Sequence, residues 1–216
     1  MTDHRVPAER GLAMPAAITA LIASLLPFAI VMSFTPGPNN LMLANAGARF
    51  GFLRTLPHQA GVVLGFSFMT LGVGLGIAGL IAAAPRLYLV LKYASIAYLL
   101  YLAWKIATSE SAKPGAVREK PMTFLQAAAF QWVNPKGWVM ALGAVTTYTT
   151  LALDMRFQVV VIASVFAIIG VAAGTTWVVF GQVIRRYLTT PRKRMAFNWT
   201  MAALLVLSVA PVLVEH

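Results

Sequence analysis

Two short segments combine residue types that bind small polar ligands inside an apolar chain. The first is Thr35-Pro36-Gly37-Pro38-Asn39-Asn40 and the second is Val133-Asn134-Pro135-Lys136-Gly137-Trp138. Proline removes a backbone donor and clashes with the preceding turn, and glycine adds freedom, so a regular helix cannot run through the first segment and is weakened at the second. A helix restarting at Leu41, with Asn39 or Asn40 as N-cap, would present free N–H groups and a positive dipole end suited to a carboxylate. Lys136 is a cation about 13 residues from the nearest loop, a costly position that marks it as a functional candidate. Lys92 lies closer to a loop and can snorkel outward. Tyr98 and Tyr101 stand one turn apart, as a cavity lining or as packing. His58 follows Pro57 at an interface and is expected to be solvated.

Other chemistry is missing. The six acids are Asp3, Glu9, Glu110, Glu119, Asp154 and Glu215, each in a tail, a loop or at a span edge. A buried carboxylate proton relay is therefore not available. The three histidines show no metal-ligand spacing, there is no cysteine, and no nucleophile–base pair or phosphate loop is present. Gly72-Val73-Gly74-Leu75-Gly76 lacks a Lys-Ser/Thr ending and reads as helix packing. No enzyme activity, cofactor or metal site is expected.

The elements that position these residues are membrane helices. The chain has 216 residues, of which 59% are hydrophobic and 11% charged. A soluble domain carries roughly 25% charged residues, so a soluble globular protein and a disordered one are both excluded. Six apolar stretches stand out: Pro15 to about Ala48, about Gln59 to Ala84, Leu87 to Ala107, Phe124 to about Leu153, Phe157 to about Ile184, and Ala196 to Val214. The expected fold is an all-α integral membrane protein of one domain, residues 1–216, with six transmembrane helices. The first and fourth stretches are too long for simple spans, and both contain the broken segments. The breaks sit at similar depth in spans of opposite direction, which is the pattern of an inverted 3+3 repeat with halves at about 15–107 and 123–214. Gly61 with Gly65, and Gly170 with Gly174, form matching small-xxx-small pairs for close helix packing.

The net charge of +11 comes from 17 Lys+Arg against 6 Asp+Glu. Loop cations that set topology and meet anionic lipid explain it better than nucleic-acid binding. Eleven of the cations fall on the face of the odd-numbered loops and four on the other face. The positive-inside rule then puts the odd loops in the cytoplasm and both termini on the periplasmic side.

With these residues in view, the chain resembles the LysE/RhtB group of amino-acid exporters, small six-span proteins of the bacterial inner membrane. The likeness runs from about Ala16 to Val212. It is carried by Thr35-Pro36-Gly37-Pro38-Asn39-Asn40, by Leu91-Lys92-Tyr93-Ala94-Ser95-Ile96-Ala97-Tyr98-Leu99, and by Asn134-Pro135-Lys136. Met32–Asn40 and Ala103–Ser109 are most similar to the cysteine and O-acetylserine exporter branch. Ser95-Ile96-Ala97 departs from the family, where a small glycine more often precedes the tyrosine. The resemblance implies efflux driven by the proton motive force. The expected function is export of small amino acids or derivatives, with a channel or gated pore for a small solute or ion as the alternative. The expected substrate site is Pro36, Gly37, Pro38, Asn39, Asn40, Asn134, Pro135 and Lys136, with Lys92 and Tyr98. The expected partners are the amino-acid substrate and the lipid bilayer, with assembly into a homo-oligomer left open.

Overall fold

The computed structural model describes the backbone of residues 6–77, 85–108, 120–149 and 153–208, and the side chains of these apart from residues 6–13, 85–88 and 91–92. All the regular structure among the described residues is helical. In chain order, α1 is Val6–Phe34, α2 Pro38–Phe50, α3 Phe52–Gly72, α4 Pro85–Ala107, α5 Phe124–Phe130, α6 Pro135–Tyr148, α7 Met155–Arg185 and α8 Pro191–Leu207. Three helical stretches among the described residues are long and apolar enough to cross a bilayer: Met14–Phe34, Phe52–Ile77 and Met155–Arg185.

Burial patterns show how the elements are used. On α1, Leu21, Leu25 and Ala29 are buried at four-residue spacing, whereas Ile22, Leu26, Ile30 and Val31 are exposed. One stripe therefore faces protein and the rest is apolar surface, which costs nothing against hydrocarbon. Large apolar side chains on the other long helices, such as Phe68 and Ile168, are likewise outward, as is Leu125 on the short α5. By contrast, α2 is buried on nearly every face from Pro38 to Ala48. It is the central element.

Glycine makes that central position feasible. A Cβ on Gly47 would strike the backbone carbonyl of Val178, and one on Gly181 would strike that of Ala44. The α2–α7 crossing is thus backbone on backbone, in the close mode that small residues allow. On α3, Gly61 meets Phe124 and Ala127 of α5, and Gly65 meets Ala128. On α7, Gly174 meets the Gln59 side chain and Gly170 meets Val63, both on α3. Two cores flank α2. One joins α1, α3, α6 and α7 through residues such as Leu25, Phe66, Met69, Ala141 and Phe166. The other joins α2, α4 and α8 through Leu41, Leu99, Met201 and Leu205, with Phe130 of α5.

Several local expectations need correction. Helix α2 begins at Pro38, not Leu41, and its N-cap is Gly37. The reason is proline itself: its φ is preset for the first helical position, where its missing N–H is not needed. Asn39 and Asn40 consequently sit inside the first turn and do not cap it. The stretch Gly72 to Gly76 does pack against a helix, Gly74 lying against Val159 of α7, but past Gly72 it leaves regular helix: Val73–Ile77 forms a π-type turn and Gly76 takes φ 103°, a left-handed value that glycine tolerates. His58 is 2% exposed, not solvated.

Candidate functional site

The two breaks meet. Thr35–Gly37 separate α1 from α2, and a short 3₁₀ turn, Gln131–Val133, followed by Asn134 separates α5 from α6. Each second half-helix starts with proline at its first position, Pro38 in one and Pro135 in the other, and neither start has a side-chain cap. Three other helix starts are capped by side chains, whereas α3, which follows Gly51, is not. Thr123 forms a reciprocal capping box with Gln126 at α5, Asp154 accepts from Phe157 N–H at α7, and Thr190 accepts from Lys193 N–H at α8. The uncapped starts of α2 and α6 are therefore positions where outward-pointing N–H groups are left for another acceptor.

The opposite side of the first break is sealed. The last carbonyls of α1 have no intrahelical partner, and side chains from three other helices supply donors. Asn40 Nδ2 donates to Ser33 O (2.7 Å) and Thr35 O (2.8 Å). Trp177 Nε1 donates to Phe34 O at 3.2 Å. Lys136 Nζ donates to Thr35 O at 2.8 Å and lies 3.5 Å from Pro36 O. Thr35 Oγ1 also donates to Val31 O. Lys136 thus spans the two breaks, and its cation sits at the negative end of α1.

A second link joins the breaks. Asn39 Nδ2 donates to Gln131 Oε1 at 2.8 Å, and Gln131 Nε2 donates back to Asn39 Oδ1 at 3.2 Å. Gln131 is fully buried and also donates to Ala127 O. Gly37 makes room for this convergence. A Cβ there would lie 2.6 Å from Lys136 Cδ and 3.1 Å from Nζ.

Between the breaks lies a cavity of ≈ 60 Å³. Gly37, Pro38, Asn39, Asn40, Asn134 and Lys136 line its polar side, and Phe66, Met140 and Phe166 line an apolar side. Gly170 and Gly174 also border it. Asn134 is 2% exposed, and its Oδ1 has no hydrogen-bond partner. A buried amide oxygen in that state costs free energy unless something donates to it. The cavity therefore offers free N–H donors and an ammonium on one side, and an orphan acceptor on another.

Not every expected residue gathers here. Pro36 and Pro135 shape the breaks, but neither borders the cavity. Tyr98 is elsewhere: its ring packs 6.1 Å from Tyr101 and 5.7 Å from Phe130, in the α2–α4–α8 core. The Lys92 side chain lies outside the described residues. Gln131 and Trp177 hold the breaks together and escaped sequence reading. A lone Gln or Trp in an apolar run gives no signal until its partner across the bundle is known.

Residues 30–215 match the LysE type translocator family. The chain belongs to the LysE translocator family. It is similar to the cysteine/O-acetylserine efflux protein of Klebsiella pneumoniae, with 29% identity over 90% of this chain and 98% of that protein. It is 30% identical to proteins of the same description from Escherichia coli strain K12 and Escherichia coli O1:K1, over 86% of this chain and 94% of theirs. No solved structure matches. This LysE-family chain is thus a multi-pass membrane translocator, and its relatives are described as efflux proteins, not as enzymes.

Proposed function

We propose that this LysE-family protein exports small amino acids or their derivatives, such as cysteine or O-acetylserine, and that the substrate sits between the two breaks. The observation that carries this reading is the junction of two uncapped half-helix starts, Lys136 and the orphan Asn134 Oδ1 around one cavity. The α-carboxylate lies against the first-turn N–H groups of Asn39 and Asn40 and the Lys136 ammonium. The α-ammonium donates to Asn134 Oδ1. A small side chain lies toward Phe66 and Phe166.

The same reading takes the chain as six spans in two inverted halves. Its support is the packing across the halves. The broken α1–α2 span packs on α7, and the broken α5–α6 span packs on α3, each with glycines at the contact. At ≈ 60 Å³ the cavity has room for a few waters only. Loading an amino acid requires the breaks to part, which favours a carrier over a permanently open pore. Energy coupling to the proton motive force and periplasmic termini complete the proposal.

Efflux of a panel of labelled amino acids from cells expressing the chain tests it, with and without a proton uncoupler. Saturable export of a small amino acid that collapses with the uncoupler is expected. Conductance that ignores counter-substrate would establish the channel alternative.

A further inference from the structure

The turn between α7 and α8 concentrates charge. Arg185, Arg186, Arg192, Lys193 and Arg194 fall within ten residues and hold five of the chain's 17 cations. All five residues are exposed. Asp154 is the one carboxylate among the described side chains, and it caps the opposite end of α7. At about 1.5 Å of helix per residue, that places it roughly 45 Å away. The remaining acids do not balance the cluster. Glu110 and Glu119 share residues 109–120 with Lys113, Arg118 and Lys120, a segment that is itself cationic, and both acids together would leave three of the five charges. Asp3, Glu9 and Glu215 belong to the two tails, which charge counting puts on the other face. Like charges this close repel each other. The dipole at the start of α8, which has no acid in its first turn, adds to the cost for Arg192, Lys193 and Arg194. An anion from outside the chain relieves that repulsion.

Apolar surface flanks the same turn. Exposed Val179, Val183 and Tyr187 recur at four-residue spacing along α7 and past its end, and exposed Met195 and Trp199 do so on α8. The two helices part from the turn, since α7 packs chiefly on α2 and α3 and α8 chiefly on α4. Each row therefore runs from the cations into the apolar span, with an aromatic ring near the charged end, where interfacial aromatics sit. We propose that this turn binds an anionic phospholipid, with the headgroup phosphate between the Arg185 and Arg186 pair and the Arg192, Lys193 and Arg194 run, and an acyl chain along one of the exposed rows. A soluble phosphate ester or a nucleic acid would use the cations and leave the rows bare, whereas a lipid uses both. Charge counting assigns the turn to the cytoplasmic leaflet, where anionic lipid accumulates. Only this choice of leaflet rests on the orientation proposed above; binding itself does not.

Thermal unfolding of the purified full-length protein in neutral detergent tests this. Dihexanoyl phosphatidylglycerol is the probe. Dihexanoyl phosphatidylcholine controls for charge, and glycerol 3-phosphate and an oligodeoxynucleotide control for the acyl chain. A saturable rise in Tm with phosphatidylglycerol is expected, absent with phosphatidylcholine, and with glycerol 3-phosphate binding about tenfold weaker or more. A cation near an anionic lipid contributes about fivefold in affinity. Arg192→Gln alone should therefore weaken binding about fivefold, and Arg192→Gln with Lys193→Gln and Arg194→Gln roughly 100-fold. Arg156→Gln, which removes an exposed cation from the opposite end of α7, should leave binding unchanged. If the triple variant does not fold, the single variant and the wild-type salt response still decide, because binding must weaken as NaCl is raised. No shift with phosphatidylglycerol, an equal shift with phosphatidylcholine, or equal affinity for glycerol 3-phosphate or the oligonucleotide would overturn the proposal. So would wild-type affinity in Arg192→Gln, an equal loss in Arg156→Gln, or salt-independent binding.

Discussion

Gly37→Ala isolates the contact that couples the two breaks. Gly37 has φ −171°, an extended value open to any residue, so the substitution adds no backbone strain. Its only effect is steric. The new methyl would lie 2.6 Å from Lys136 Cδ, 3.1 Å from Nζ and 3.4 Å from Cε. These atoms belong to a flexible side chain, so the lysine can swing away and the helices need not move. What is lost is the hydrogen bond from Nζ to Thr35 O at 2.8 Å. A hydrogen bond from a charged group contributes about 1.5–3 kcal/mol. If the transport-competent site needs Lys136 in place, that loss lowers export by roughly 10- to 150-fold, at about 1.4 kcal/mol per decade. Proteoliposome counterflow of a labelled substrate, normalised to inserted protein, measures it. A double-mutant cycle sharpens the test. In a Lys136→Met background, Gly37→Ala should cost almost nothing more, because the displaced group is already gone. Wild-type export by Gly37→Ala, or additive losses in the double variant, would refute the reasoning.

Three further outcomes follow from the same contacts. Gly181→Ala should prevent stable folding or lower Tm sharply in detergent, because its Cβ meets the Ala44 backbone; Gly143→Ala, whose Cβ would stand 3.5 Å from Phe28 Cζ, should leave Tm nearly unchanged. Asn39→Ala leaves the buried Gln131 Oε1 without a donor, while Nε2 keeps Ala127 O, and should destabilise the protein by about 1–3 kcal/mol, read by thermal unfolding. Trp177→Phe removes the donor to Phe34 O and part of the ring that packs on Phe180, and should destabilise the protein by at least one neutral hydrogen bond, about 1 kcal/mol, read as a lower Tm.

The breaks were legible in the sequence because proline and glycine act on their own backbone. The structure is broken at Pro36-Gly37-Pro38 and at Asn134-Pro135, although Pro15, Pro27 and Pro57 are carried inside helices. The restart lies three residues before Leu41, because proline at the first helical position outweighs the capping tendency of the Asn39 and Asn40 side chains. Asn40 instead turns back to hold the end of α1, a role set by where the chain reverses. The close crossing at Gly47 and Gly181 was not legible either. Gly181 has no glycine four residues away, and the one four residues from Gly47, Gly51, lies past the end of α2, so only the meeting of α2 and α7 gives the two their meaning. His58 failed for a similar reason. Position beside Pro57 suggests an interface, while packing of α2 and α3 buries it.

The central claim is that an amino acid occupies the space between the breaks and donates to Asn134 Oδ1. That oxygen makes no hydrogen bond within the protein, so Asn134→Ala should fold and insert normally yet lose substrate. The direct measurement is counterflow of labelled cysteine or O-acetylserine in proteoliposomes, wild type against Asn134→Ala at matched insertion and matched Tm. The account predicts saturable wild-type exchange and at least a roughly tenfold loss in the variant, the weight of one charge-assisted hydrogen bond. Full exchange by Asn134→Ala with an unchanged KM would contradict it.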